Sequence, residues 1–570
     1  MPSPISPLAA VEPRLRSLLP ADLYATAWMD PSPASLTRVF EHLRTLQRIL
    51  YDYVPRQVTE VLPRPGEARH EWQEGTLMFT DLAGFTPLME ANAARGSAGA
   101  ESLLGVLNSY FSEMIEIISK SGGNLLEFTG DAMLVEFPAD PRRSDAARAV
   151  RAGLRMQRAM ARFADLETAE GALSLEMRVG LHTGRFIAAD IGTPRRMAHV
   201  LLGTPVQRTK QAEGAGEVGR VCLTEAAHEL ARDQFNFEPG HPGHVLVVDD
   251  LTPKSLGEYE ISPTSRRMAS AVLLDRSVEA LVGEIEKAVK SVEPLASYLP
   301  RPILTLVVES AARRSIPPVF LEATVVMVNL IGLSESADHV RPDEVDALLN
   351  TFARAFALIN AAAEARGGVL KNITYHLAGS DMLIYFGVPN AHIDDSLRAA
   401  SAALAIRDIV ARLPPPSVGR REVALECQIG MARGPVFAAE IGEPRGRREF
   451  NVLGDSVNTA ARLMGRAVGN RILITEAIQR EIAARFNCQS LGPMRLKGKA
   501  APTPVFALRE AVDQRPVTPI SLRAVSALEI GKYSAGNFAG FARISGRIAC
   551  RSSGILARPK CLREIRVTGL

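Results

Sequence analysis

The chain has 570 residues, 46% of them hydrophobic, and a formal net charge of +3, which suits two to four domains with buried cores and gives no argument for a nucleic-acid partner. Five scattered cysteines, Cys222, Cys427, Cys488, Cys550 and Cys561, have no zinc-like or redox spacing and point to a reducing compartment. No apolar run approaches bilayer length and the N-terminus lacks a signal-peptide core, so the sequence predicts a cytoplasmic protein without stable membrane insertion.

From Leu15 to about Val61 the pattern is helical, and Leu36, Phe40, Leu43 and Leu50 fall largely on one face. This predicts a packing or dimerising segment, able to build a higher oligomer. Pro55, Pro63 and Pro65 then mark a boundary, and residues 1–73 are read as a helical N-terminal segment. Thr76 to Thr80 is an apolar, β-rich run of strand length that ends on Asp81 and opens into a loop containing Gly84. A carboxylate at a strand end can hold a hard cation while backbone N–H groups of the next turn face phosphate oxygens. On that pattern alone, the turn cap is the favoured reading of Asp81.

A second stretch, Asn124 to Phe137, reads as two short strands joined at Gly130 and Asp131. If the strand ending at Asp81 and the one starting at Ala132 pair antiparallel, the two carboxylates meet at one edge. Mg²⁺ favours a few carboxylate oxygens with waters and phosphates, and paired metals suit in-line attack at phosphorus. The pattern therefore points to phosphoryl transfer. The run FTDLAGFT, together with the Gly130–Asp131 hairpin, resembles the signature of class III nucleotidyl cyclases, the adenylyl and guanylyl cyclase catalytic domain.

Ser144 to Leu166 is a long helical stretch, and Met177 to Gly192 reads as a strand with a glycine turn at Gly184. The resemblance implies a phosphate contact at Arg185, a position that could otherwise hold a plain surface arginine. This first unit spans residues 74–263. A linker over 264–318, partly helical from Ser277 to Val292 and punctuated by prolines, limits how its neighbours can be arranged. The sequence then repeats itself: Gly84 corresponds to Gly332 at an offset of 248, Gly184 to Gly434 at 250 and Gly203 to Gly454 at 251. Residues 319–510 form the second copy. Beyond them, ten Lys or Arg and three acids in residues 511–570 suggest a basic, disordered tail.

The copies are unequal. Asn329 stands where the first copy has Asp81, and Ser380 where it has Asp131, with Asp381 one residue out of register. Two neutral groups hold Mg²⁺ poorly. Conversely, FNVLGDSVNTAARL (Phe450 to Leu463) resembles the family's third motif, with Asn458 and Arg462 at i, i+4 on one helix face, whereas the first copy has Gln207 and Gln211.

The resemblance implies an α+β fold of two ferredoxin-like (βαββαβ) cyclase domains, paired within the chain as a pseudo-heterodimer behind the helical N-terminal segment. It implies two Mg²⁺ or Mn²⁺ ions on Asp81 and Asp131, with substrate contacts along Leu82, Gly84, Phe85 and Thr86. Asn458 and Arg462 would act on the reacting sugar and phosphate, Lys497 of the RLKGKA loop would bind phosphates, and Asn451 would read the base. One complete site results, and the opposite combination of Asn329, Ser380, Gln207 and Gln211 should be dead. The family's base-reading lysine is harder to assign: four extra residues between Gly368 and the hairpin displace Lys371 and bring Ala378 close to its place. Glu127, which resembles a guanine-reading acid, should line the dead site. The tandem arrangement is similar to that of soluble adenylyl cyclases and their bacterial relatives, which implies ATP as substrate. A guanylate cyclase, or a nucleotide-binding regulatory module without turnover, is the alternative.

Overall fold

The protein is seen in a computed structural model that describes residues 8–168, 171–259, 275–375, 378–418, 421–444, 446–499 and 501–512. The expected tail, from residue 513 onward, lies outside the described residues, as does 260–274 at the start of the expected linker.

The N-terminal part contains Ala21–Met29 (α1) and Pro33–Tyr53 (α2). The Ser32 side chain caps α2 by accepting from the Ser35 N–H, and Pro33 has no N–H to leave unpaired in the first turn. Leu36, Val39, Leu43, Leu46 and Leu50 of α2 are buried against Leu281, Ile285, Val289 and Val292, farther along the same chain. The stripe expected to build a higher oligomer is thus already covered from within, and that expectation lacks support.

The first copy follows as Arg69–Ala83 (β1), Phe85–Ala93 (α3), Gly96–Lys120 (α4), Asn124–Thr129 (β2), Ala132–Pro138 (β3), Asp145–Ala159 (α5), Glu176–Thr193 (β4), Arg196–Leu202 (β5), Thr204–Ala215 (α6), Val221–Thr224 (β6), Phe237–Pro239 (β7) and His244–Val247 (β8). Its sheet runs β2-β3-β1-β4-β6-β8-β7, with β5 paired to β4. The alternation of β1 is what orients it: Met78 and Leu82 enter the helix-covered core, while Leu77 and Phe79 take the other face. No turn occurs at Gly184, because β4 runs through it unbroken. That glycine instead admits Pro205, whose Cγ would lie 2.8 Å from an added Cβ.

The second half comprises Val278–Ala296 (α7), Arg301–Ser310 (α8), Val319–Ile331 (β9), Val345–Glu364 (α9), Val369–Tyr375 (β10), Ser380–Phe386 (β11), Asp395–Val410 (α10), Glu426–Gly442 (β12), Arg448–Leu453 (β13), Asp455–Met464 (α11), Ile472–Thr475 (β14), Phe486–Met494 (β15) and Thr503–Ala511 (β16). Its sheet order, β10-β11-β9-β12-β14-β16-β15 with β13 on β12, repeats the first. The architecture is α+β, with two ferredoxin-like halves behind a helical N-terminal segment.

The halves exchange arms. Ile187, Ile191, Val200 and Leu202 of β4–β5 are buried in the second copy's core with Phe352 and Phe356 of α9. Phe437, Ala439, Ile441 and Leu453 of β12–β13 are buried in the first copy's core. The duplication also reaches the helices: Tyr53-Val54-Pro55-Arg56 after α2 has its counterpart in Tyr298-Leu299-Pro300-Arg301 after α7, 245 residues on.

Candidate active site between the two halves

β1 and β3 pair antiparallel, from Gly75 opposite Pro138 to Thr80 opposite Met133, which brings Asp81 and Asp131 to one edge of the sheet. Both side chains are half-buried. Burial, and then the neighbouring Asp81 carboxylate, raise Asp131 to about 7. Two acids held together, with only oxygen donors, fit a hard divalent cation, whose charge would reverse that shift. Among the described residues no cluster of three or more His, Cys, Asp or Glu is arranged for a metal, so these two acids would share ligation with water and substrate oxygens.

The strand ends later than expected. β1 continues to Ala83, opposite Glu176, which leaves Leu82 within the ladder opposite Met177 and its side chain in the core. The turn is Gly84 alone, at φ +88°, where an added Cβ would stand 2.3 Å from the Ser174 carbonyl oxygen. Phe85 is buried and Thr86 half-buried at the start of α3, where the first-turn N–H groups have no partner within the helix. Arg185 is not brought to the acids. It lies opposite Glu74, seven residues along β1 from Asp81, or about 24 Å at strand spacing, and its guanidinium sits 4.3 Å from the Trp72 ring centre.

A charge network around the acids was missed in the sequence. Arg178 on β4, opposite Asp81, pairs with that carboxylate and, at 3.2 Å, with Glu213 of α6. Lys210 pairs with Glu213 at 2.8 Å and lies 4.1 Å from the Phe79 ring centre. The second copy has Gln428, Ala461 and Met464 in place of Arg178, Lys210 and Glu213. Asn329 there donates to Gln428 Oε1 at 3.0 Å and to the Ala378 carbonyl at 2.8 Å. Loss of the acids is therefore matched by loss of their countercharges, a pattern that aligning the two copies would have revealed. Ser380 and Asp381 lie at the head of β11, Asp381 opposite Asn329.

The second copy meets the acid hairpin through β13. Asn451 Nδ2 donates to the Gly130 carbonyl at 2.8 Å, and Leu453 Cδ2 would lie 3.8 Å from a Cβ on Gly130. Beyond this contact, α11 carries exposed Asn458 and half-buried Arg462. Arg462 Nη1 is buried with no hydrogen-bond partner, and Nη2 would be 3.2 Å from a Cβ on Gly498. Arg462 thus adjoins the Lys497-Gly498-Lys499 loop. Lys499 pairs with Asp455, and Lys497 is exposed.

Lys371 corrects the sequence reading. Its Nζ lies 2.8 Å from Asn451 Oδ1, 2.9 Å from the Phe128 carbonyl and 3.3 Å from Glu449. By strand pairing Thr374 matches Thr129 of the first copy, so the four extra residues follow Thr374 in the sequence and do not displace Lys371. Glu127 is not confined to the opposite site either. It accepts from Asn372 Nδ2 at 2.7 Å across the halves, and burial, then Glu449, holds it well above the usual carboxylate range against Lys371 and Arg447.

On the opposite side, Gln207 Nε2 donates to Glu335 at 3.3 Å, while Glu335 accepts the Gly332 N–H at 3.1 Å. An internal carboxylate therefore takes the backbone donor that corresponds to the Gly84 turn. No helix among the described residues is long and apolar enough to cross a membrane.

Comparison with known proteins agrees with this doubled architecture. The adenylate and guanylate cyclase catalytic domain matches residues 68–252 and 320–509. The chain is 23% identical over 451 residues to adenylate cyclase type 10 of Mus musculus, covering 76% of this chain and 26% of that protein. It is 27% identical over 195 residues to adenylate cyclase 1 of Rhizobium meliloti, covering 33% of this chain and 28% of that one. The chain thus spans about a quarter of the length of these two relatives. A solved class III adenylyl cyclase-like ATP-binding protein from Pseudomonas aeruginosa superposes with a TM-score of 0.47 at 14% identity, covering 78% of this chain and 93% of that one. With both halves matched, the chain belongs to the adenylate and guanylate cyclase catalytic domain family.

Proposed function

We propose that the chain is an adenylate cyclase, converting ATP to 3′,5′-cyclic AMP and pyrophosphate at one site between its halves. One observation carries this reading: β13 of the second copy, through Asn451, touches the very turn that bears Asp131 of the first. Acids from one half and the amide, guanidinium and lysine of the other then face one cleft.

In this reading Asp81 and Asp131 hold Mg²⁺ or Mn²⁺. When bound, such ions supply the charge that acidifies the ribose 3′-hydroxyl and gathers the triphosphate. Asn458 orients the ribose so that O3′ can attack the α-phosphorus, and pyrophosphate leaves in line. Arg462, with a guanidinium N–H still unpaired, and Lys497 meet the charge that develops on the phosphoryl oxygens. Backbone N–H groups of Phe85 and Thr86 can receive phosphate oxygens. Lys371 and Asn451, held together between the halves, would exchange this mutual contact for the base edge, a donor and an amide that support ATP over GTP. A regulatory module without turnover fits less well, because both acids and Arg462 persist in complementary halves while their counterparts are neutral.

The test is a cyclic-nucleotide assay on the purified chain with Mn²⁺ and either ATP or GTP. Asp81→Ala and Arg462→Ala should each lower product at least a hundredfold, and chelation should abolish it. Asn329→Ala and Gln207→Ala should stay within a few-fold of the parent. If the latter pair abolished product instead, the assignment of half-sites would be reversed.

A further inference from the structure

Arg196 is 5% exposed and lies outside the acid and phosphate groups. Its guanidinium donates to the Tyr298 carbonyl at 2.5 Å, to the Met197 carbonyl at 2.6 Å, to the Lys371 carbonyl and, more loosely, to Leu370 at 3.4 Å. It spans three parts of the molecule: the first copy's arm, the end of the α7 segment and β10 of the second copy. The contact on β10 falls where pairing with β11 is interrupted, between Leu370 and Ile373. At such a bulge the extra residue loses its ladder partner, and Arg196 supplies a donor in its place.

The same device recurs at the pseudo-symmetric position. Arg447 donates to the Leu126 carbonyl at 3.2 Å, beside the irregularity between Leu125 and Glu127, and to the Asp52 carbonyl at the end of α2. The bulge residue there is a leucine. Only Lys371 carries a cationic head, which reaches Asn451.

We propose that Arg196 is a positioning residue for base selection, fixing the backbone of Lys371 and tying it to the α2–α7 helical pair. This rests on the reading of Lys371 as a base contact. A lysine at 196 keeps the charge but cannot bridge the same carbonyls in a planar fork.

The test compares the parent, Arg196→Lys, Lys371→Ala and the double variant. In Arg196→Lys, reductive methylation of Lys371, followed by mass spectrometry, should be about tenfold faster while the other lysines are unchanged. The ratio of ATP to GTP affinity, measured by competition against a fluorescent nucleotide, should fall about tenfold. In the Lys371→Ala background Arg196→Lys should change that ratio no further. Unchanged Lys371 labelling overturns the inference even if overall affinity drops, since that is what a merely structural arginine would do. A further fall in the ratio in the double variant overturns it too. If the parent binds neither nucleotide, the adenylate cyclase reading fails, and the labelling arm alone still decides whether Arg196 holds Lys371.

Discussion

Lys371 illustrates how a single residue escapes sequence counting. Counted forward from Gly368 it lies early in a strand, and counted back from Gly379 it lies four residues too far away, because the insertion separates the two reference points. The structure keeps Lys371 early in β10 and sets its ammonium on Asn451. Lys371→Ala should raise KM for ATP about tenfold with a smaller change in kcat, checked by steady-state kinetics with ATP and GTP. It should also cost on the order of 3 kcal/mol of stability, read by denaturant titration, because Glu127 and Glu449 lose a buried cation. The acids were easier to read: a carboxylate just past an apolar run and another in a Gly-Asp turn are local patterns. Arg178, Lys210 and Glu213 were not, since each takes its meaning from what lies across β1 and α6.

Among the elements, β4 shows why a glycine was misread. Gly184 looked like a turn, yet the backbone needs the missing side chain for the close approach of Pro205. Once the strand is continuous, Arg185 is carried away from the acid edge. On β3, across β1 from β4, Glu136 is buried, and burial raises it to about 7 from the ordinary 4.5. Between those values the folded chain holds a proton that the unfolded chain has released, so stability falls as pH rises through the window and the loss is complete above it. Glu136→Gln should remove this dependence, gaining on the order of 3 kcal/mol relative to the parent at pH 8 and little at pH 4. Gln57, which donates to Glu136, can still donate to the amide oxygen. Denaturant titrations of both proteins across this pH range measure the difference, and a parallel pH profile would show that Glu136 stays ionised in the folded chain.

At the level of the whole molecule, the exchanged arms make the halves one cooperative body. Phe437 belongs to the second copy by sequence but is fully buried in the first copy's core, 5.2 Å from the Phe320 ring. Phe437→Ala should cost about 3 to 5 kcal/mol, and calorimetry should still find a single transition, shifted to lower temperature. A second transition assignable to an intact half would mean that the arms do not couple the copies. The sequence by itself determined the duplication and the division of acids from the amide and guanidinium, because each is written in contiguous residues at fixed spacing, while the ferredoxin-like order of elements was implied by the resemblance those motifs carry. Only the tertiary structure decided that α2 is covered by α7, that the arms cross, and that Arg196 and Lys371 meet. Those contacts join segments well over a hundred residues apart, and their partners are selected by packing and by backbone carbonyls, which carry no side-chain signature.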